Sequence, residues 1–222
     1  MPRDTSRDPR LLVADIALRR LSRLLPLRHG IQPRLSKPET TALLKRMESN
    51  LMACRFMYLE PEQLATEATL LELAASARTL RESVDDALTK RDFNPTTRAD
   101  LVWCFQIFEG LPERLRRQGT SLAAGVDLVT VRVKHVSRRD KLWITRVDAG
   151  GRELTVVTNM SGIDAGRVLA AACLPPVELA GTTSEAMFLG QEPRSEAPGT
   201  LLDDSVVDAR EAASILHEEL GR

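Results

Sequence analysis

Apolar residues follow two rhythms along this 222-residue chain, and the change between them falls near Gly125. Upstream they recur every three to four positions, the period of helices with one buried face. Leu11, Leu12, Ile16, Leu18, Leu21, Leu24 and Leu25 stand among Arg19, Arg20 and Arg23, which predicts an amphipathic helix with a basic face, ended by Gly30 and Pro33. Ser36 is placed as the N-cap of a second helix from Lys37, with Pro38 and Glu39 in its first turn and Leu43, Leu44, Met47, Leu51 and Phe56 on its core stripe. A third is predicted from Glu62 to Ala87, where Leu64, Leu70, Leu71, Leu73, Ala74, Leu80 and Val84 keep helical spacing. Asn94-Pro95 opens a fourth, from about Thr96 to Arg117, through Leu101, Trp103, Phe105, Ile107, Phe108 and Leu111. Such a set predicts an α-helical hairpin or bundle.

Downstream the period shortens to two. Val129, Val131 and Val133 alternate with Thr130, Arg132 and Lys134, the pattern of a half-buried strand. Leu142 to Val147 is rich in β-branched and aromatic residues, and Asp148-Ala149-Gly150-Gly151 turns the chain back into Leu154 to Thr158. Arg167 to Cys173, ended by Pro175-Pro176, and Ala186 to Leu189 complete five short strands. Their spacing and their Gly and Pro punctuation suit a closed Greek-key barrel of the OB-fold type. Gln191 to Thr200 has linker composition, and Asp203, Asp204 or Ser205 can cap a final helix through Leu220, with Val206, Ala209, Ala212, Ile215 and Leu216 on one stripe. The expected fold class is therefore α+β and multi-domain. Residues 1–124 form a helical domain, 125–191 a barrel, and 192–222 a linker and terminal helix.

The balanced charge, 31 basic against 31 acidic residues, conceals an asymmetry. Residues 1–34 hold eight Arg and three Asp, whereas residues 191–222 hold three Arg and eight Asp or Glu. Such a split attracts nucleic acid at one end or holds the two ends together, and charge alone does not choose. Arg19-Arg20 and Arg114 to Arg117 read as solvated helix faces or as phosphate contacts, and Trp103, Phe105 and Phe108 as core or a helix-pairing surface. Cys54, Cys104 and Cys173 are odd in number and widely spaced, and His29, His135 and His217 join no acidic cluster, so neither a metal, a cofactor nor a disulfide is expected. Apolar runs are broken by charge well short of the roughly 18 residues of a membrane span. Met1-Pro2-Arg3-Asp4 begins no secretory core, and a soluble cytoplasmic protein is expected. No nucleophile with its base, paired carboxylates or phosphate loop can be assembled, so catalysis is not expected.

The binding chemistry gathers on the predicted barrel. Arg132 and Lys134 share a strand face, and Arg138, Arg139, Lys141 and Arg146 follow around its first turn. Phosphate is the natural counter-ion of such a group, giving affinity and salt sensitivity without base preference. Trp143 is the only large aromatic of the barrel besides Phe188, so shape recognition of a folded RNA fits better than sequence reading.

Three motifs lie in order along this segment: His135-Val136-Ser137-Arg138-Arg139-Asp140-Lys141-Leu142, Val147-Asp148-Ala149-Gly150, and Ser184-Glu185-Ala186-Met187. Together they resemble the tRNA-binding domain family, which occurs alone or appended to methionyl- and phenylalanyl-tRNA synthetases. In that family the first motif reads His-Pro-x-Ala-Asp-Lys-Leu and the last Ser-x-Gly-Met, so Val136, Arg139 and Ala186 depart from it. The resemblance covers residues 127–191. It implies that Lys141, Ser184 and Met187 lie at or beside an RNA-binding surface, with Asn159 a further candidate; the alternative from the residues themselves is that Asp140 and Ser184 close turns by bonding backbone amides and that Met187 is core. It also implies a homodimer. The expected function is noncatalytic binding of tRNA or another structured RNA. The competing expectation is an assembly module whose helical domain recruits a protein partner while the barrel is only structural.

Overall fold

The second helix begins as its first residues dictate. The Ser36 hydroxyl accepts from the Glu39 amide while the Glu39 carboxylate accepts from the Ser36 amide, so two otherwise orphaned N–H groups satisfy each other's side chains. In the computed structural model, which describes residues 4–27, 33–90 and 92–221, this capping box opens α2 (Lys37–Arg55). Before it runs α1 (Pro9–Leu27), and after it come α3 (Pro61–Leu64), α4 (Ala68–Thr89), α5 (Pro95–Glu109) and α6 (Leu111–Arg116). Gly30, His29 and the residues before Asp4 lie outside the described residues. The chain divides into two compact units, residues 1–120 and 121–222.

In the first unit α1 packs on α2 and α5, and α4 packs on the same two helices. Most of its core is the one the period of 3.6 selects, since Leu11, Ile16, Leu21, Met47, Leu51, Leu70, Leu73, Leu80, Leu101, Trp103, Phe105 and Phe108 are all buried, but Phe56 and Leu71, expected on the same stripes, are exposed. Two expected helices are each divided. The run from Glu62 breaks at residues 65–67, because Glu67 is extended and starts α4 afresh. The run to Arg117 breaks at Gly110, whose missing side chain leaves room for the Arg114 guanidinium; a Cβ there would lie 2.8 Å from its Nη2.

Arg114 is not a surface cation. It is 1 % exposed and donates to the carbonyls of Ile107 and Gln106, both at 2.8 Å, capping the last turn of α5. Arg10, 2 % exposed, does the same for α6 by donating to the carbonyls of Arg114, Leu115 and Arg117. The Asp8 carboxylate, itself buried, accepts from Arg10 Nε at 2.8 Å and Nη2 at 2.6 Å. Removing one partner of such a buried pair leaves the other uncompensated. The basic face of α1 is also largely neutralised, since Arg19 reaches Asp15 at 3.4 Å and Arg20 pairs with Asp100 beneath the Trp103 ring.

The second unit is built on β1 (Leu128–Arg139), β2 (Leu142–Asp148), β3 (Glu153–Thr158) and β4 (Val168–Ala172). β5 (Val177–Leu179) and β6 (Thr182–Ser184) form a separate hairpin, and β7 (Met187–Phe188), β8 (Leu201–Leu202) and α7 (Arg210–Leu220) follow. All pairings are antiparallel, in the order β3-β2-β1-β4-β7, with β8 also on β1. The sheet curls around Val131, Val133, Val147, Leu154, Val156, Leu169, Ala171 and Phe188. The five expected strands are thus present within an α+β fold, but the sheet is a half-barrel and no ladder joins β7 to β3. Residues 184–185 bridge that gap instead. Glu185 N–H donates to the Thr155 carbonyl, the Glu185 carboxylate accepts from Thr155 N–H, and the Ser184 hydroxyl accepts from Val157 N–H.

The supposed linker is ordered. Arg194 N–H donates to the Val168 carbonyl, Gly199 N–H to the Thr130 carbonyl, and Thr130 N–H to the Thr200 carbonyl, stitching residues 194–200 across β4 and β1. Gly150 and Gly199 meet back to back, where a Cβ on Gly150 would lie 2.9 Å from the Gly199 Cα. The terminal helix starts later than a cap at residues 203–205 would give, at Arg210, where the Asp208 carboxylate accepts from the Arg210 amide and guanidinium. Asp204 accepts from the Ser121 hydroxyl instead, and Val206 is exposed, whereas Ala209, Ala212 and Leu216 are buried as expected.

Two substitutions test this account. Asp8→Ala is expected to lower the stability of the helical unit by about 3–5 kcal/mol by stranding the Arg10 charge, read as an earlier denaturant transition in far-ultraviolet circular dichroism. Ser184→Ala is expected to cost about 1–3 kcal/mol through the orphaned Val157 amide, with no early transition in the helical unit.

Candidate nucleic-acid interface

The strand period of two assigns each basic residue to a face, and one irregularity in β1 changes the assignment. Up to Val133, which pairs with Val147, odd-numbered residues of β1 face the core. Between Val133 and His135 the register shifts by one residue. Lys134 and His135 are consequently both exposed, and beyond them Val136 stands opposite buried Thr145 and Arg138 opposite Trp143. A bulge reverses the sidedness of everything after it. The six basic residues expected on one surface therefore separate. Arg132, Lys134, Arg139 and Arg146 belong to the outer face, whereas Arg138 continues the core-facing side beyond the core itself, beside Trp143.

The hairpin that carries them outruns the rest of the sheet. β4 pairs with β1 only as far as Arg132, and the loop before β4 adds bonds between Val133 and residues 166–167. From His135 to Arg139 only β2 supports β1. At the end, Arg139-Asp140-Lys141-Leu142 makes the turn, with Asp140 at φ 55°, a left-handed conformation that Asp tolerates better than most residues. Asp140 thus takes part in the turn through its backbone conformation, and Arg138, Arg139 and Lys141 are exposed around it.

Counter-charges sort these cations further. Lys134 lies 3.4 Å from the Asp148 carboxylate and Arg146 4.0 Å from that of Glu153. The Gly151 amide donates to Asp148 and, with Lys134, holds its carboxyl below the ordinary range, so this partner stays ionised at neutral pH. Among the described residues no carboxylate pairs with Arg138, Arg139 or Lys141. Arg138 instead places its guanidinium 5.4 Å from the centroid of the half-buried Trp143 ring and donates from Nε to the Asp140 carbonyl at 3.1 Å. Strand periodicity alone does not signal this contact, because the bulge that brings Arg138 and Trp143 to one face follows from register.

The remaining expected positions fall elsewhere. Asn159 is exposed just after Thr158, which stands opposite Trp143. Ser184 is 4 % exposed, its hydroxyl accepting from Val157 N–H and donating to the Ala186 carbonyl, so it serves the seam and is not presented on a surface. Ala186 is buried in the half-barrel core at an ordinary φ, and its methyl group fills space there. Met187 is half-buried and lines a cleft with Met160, Phe188, Asp208, Arg210 and Glu211, apart from the cations of the turn. Among the described residues no group of His, Cys, Asp and Glu is arranged to hold a metal, and the three cysteines are buried and not joined in a disulfide. No helix among them is long and apolar enough to cross a membrane.

Comparison with known proteins bears on the first unit. The family described as "Alpha helical domain" matches residues 1–116, and the chain belongs to that family. No curated protein matches the chain.

Proposed function

We propose that this member of the alpha helical domain family is a noncatalytic RNA-binding protein whose half-barrel takes tRNA or another structured RNA through its phosphates. The observation that carries the reading is the end of the β1–β2 hairpin, where Arg138, Arg139 and Lys141 are exposed together without carboxylate partners. Cations already neutralised within the molecule release fewer counter-ions on binding than cations that are not. A protruding turn also reaches into a groove that a flat sheet cannot enter. The resemblance of residues 127–191 to tRNA-binding domains supports the same reading, since Asp140-Lys141-Leu142 forms that turn and Val147-Asp148-Ala149-Gly150 the next one. Lys141 is the family position that the turn exposes, and Asn159, exposed just beyond β3, is a second polar candidate. The reading extends to a homodimer, which would double the number of phosphate contacts.

A second reading has its own support. Met52, Phe56, Tyr58 and Leu71 of the helical unit are 50 %, 52 %, 48 % and 47 % exposed, which suits a unit that recruits a protein partner while the half-barrel is structural. Titration of the full chain with unfractionated tRNA, duplex RNA and duplex DNA at two salt concentrations separates the two. Binding of tRNA with a steep salt dependence supports the first, and no binding of any nucleic acid leaves the second. Replacing Arg138, Arg139 and Lys141 together by Ala is expected to weaken tRNA binding and to lower the log-salt slope by up to about three units. Replacing Lys134 and Arg146, which are paired, is expected to change the slope less. Sedimentation of the same samples reports the dimer.

A further inference from the structure

The Arg138–Trp143 pair is over-determined for a solubilising charge. Trp143 is fixed in β2 between Arg138 on one neighbouring strand and Thr158 on the other. The guanidinium carbon lies over the ring, 5.4 Å from its centroid, and Nε donates to the Asp140 carbonyl at 3.1 Å. Asp140 can offer that carbonyl because of its left-handed backbone. An exposed arginine ordinarily samples many rotamers, and here two contacts select one. Arg138 is nevertheless exposed, so a ligand can reach it.

We infer that Arg138, backed by Trp143, is a stacking platform for one unpaired nucleobase of the bound RNA, so that the turn recognises a loop or single-stranded end and not a continuous duplex. This rests on the RNA-binding reading and narrows its substrate class. A base laid on the guanidinium adds a planar contact beside Trp143, the way single-stranded RNA is commonly held on arginine and aromatic surfaces. Lys141, exposed in the same turn, then meets a phosphate next to that base, and Arg139, on the outer face of the hairpin, meets one further along the strand. Duplex RNA offers phosphates to Arg139 and Lys141 but keeps its bases stacked inside, and so makes only part of this contact.

The variant that separates stacking from charge is Arg138→Lys, which keeps the positive charge and loses the plane. The full chain and this variant are titrated with a short unstructured oligoribonucleotide, with duplex RNA and with inorganic polyphosphate, which has no base. The expected result is a loss of about tenfold in affinity for the oligoribonucleotide, with polyphosphate unchanged and duplex RNA nearly so. Trp143→Leu is expected to give the same pattern. Fluorescence supplies an independent signal, because the chain has two tryptophans and Trp103 is only 2 % exposed in the helical unit. Oligoribonucleotide is expected to quench the wild-type emission, and the quench at saturation is expected to be lost in Arg138→Lys, which keeps Trp143. Equal affinity of wild type and Arg138→Lys for the oligoribonucleotide, without quenching, overturns the platform while leaving phosphate binding intact. Absence of binding to every RNA by the wild type overturns the RNA-binding reading and the platform with it.

Discussion

The length of β1 governs the second unit. Twelve residues long, it is flanked by β4 and β8 at its start and by β2 alone at its end. A strand with neighbours on both edges and a core on one face must place its apolar residues by strict alternation, and Val129, Val131 and Val133 do so. Past Arg132 the constraint from β4 stops, a bulge is admitted, and the hairpin extends beyond the core with polar residues on both faces. The exposed cations, the left-handed Asp140 and the Arg138–Trp143 contact all depend on that overhang.

The other edge of the sheet poses the opposite problem. β3 presents amides at Thr155 and Val157 that β7, only two residues long, does not reach with a ladder. An open edge invites pairing with other chains. Here Ser184 and Glu185 supply side-chain acceptors in place of backbone carbonyls. Residues of the third motif, which the family resemblance places near RNA, thereby hold the half-barrel together. The strap of residues 194–200 performs a related service across β1 and β4, which is why a segment of linker composition is ordered.

The helical unit solves its polar problem with two arginines. The last carbonyls of α5 and α6 lie where water is excluded, and Arg114 and Arg10 supply their donors. A run of four residues containing three arginines, Arg114 to Arg117, therefore mixes an internal cap with surface charge. Phosphate is not the only explanation for a basic run, and burial distinguishes the cases.

Periodicity and caps in the sequence were sufficient for the α+β class, the change of texture between the units, the Ser36 and Asn94 caps, and the core of Val129, Val131 and Val133. These depend on contacts between residues a few positions apart. The break at Gly110 was decided by room for the Arg114 side chain, the ordered strap by partners on β1 and β4 up to 70 positions away, and the diversion of Asp204 from capping by Ser121, distant in sequence. The same holds for the candidate interface. The sequence located the basic residues around Asp140, but which of them share a face is a question of register, and register changed at Val133 to His135. One inserted residue transferred Arg138 from the outer face to the side of Trp143, because side chains on a strand alternate and a shift of one position reverses them all.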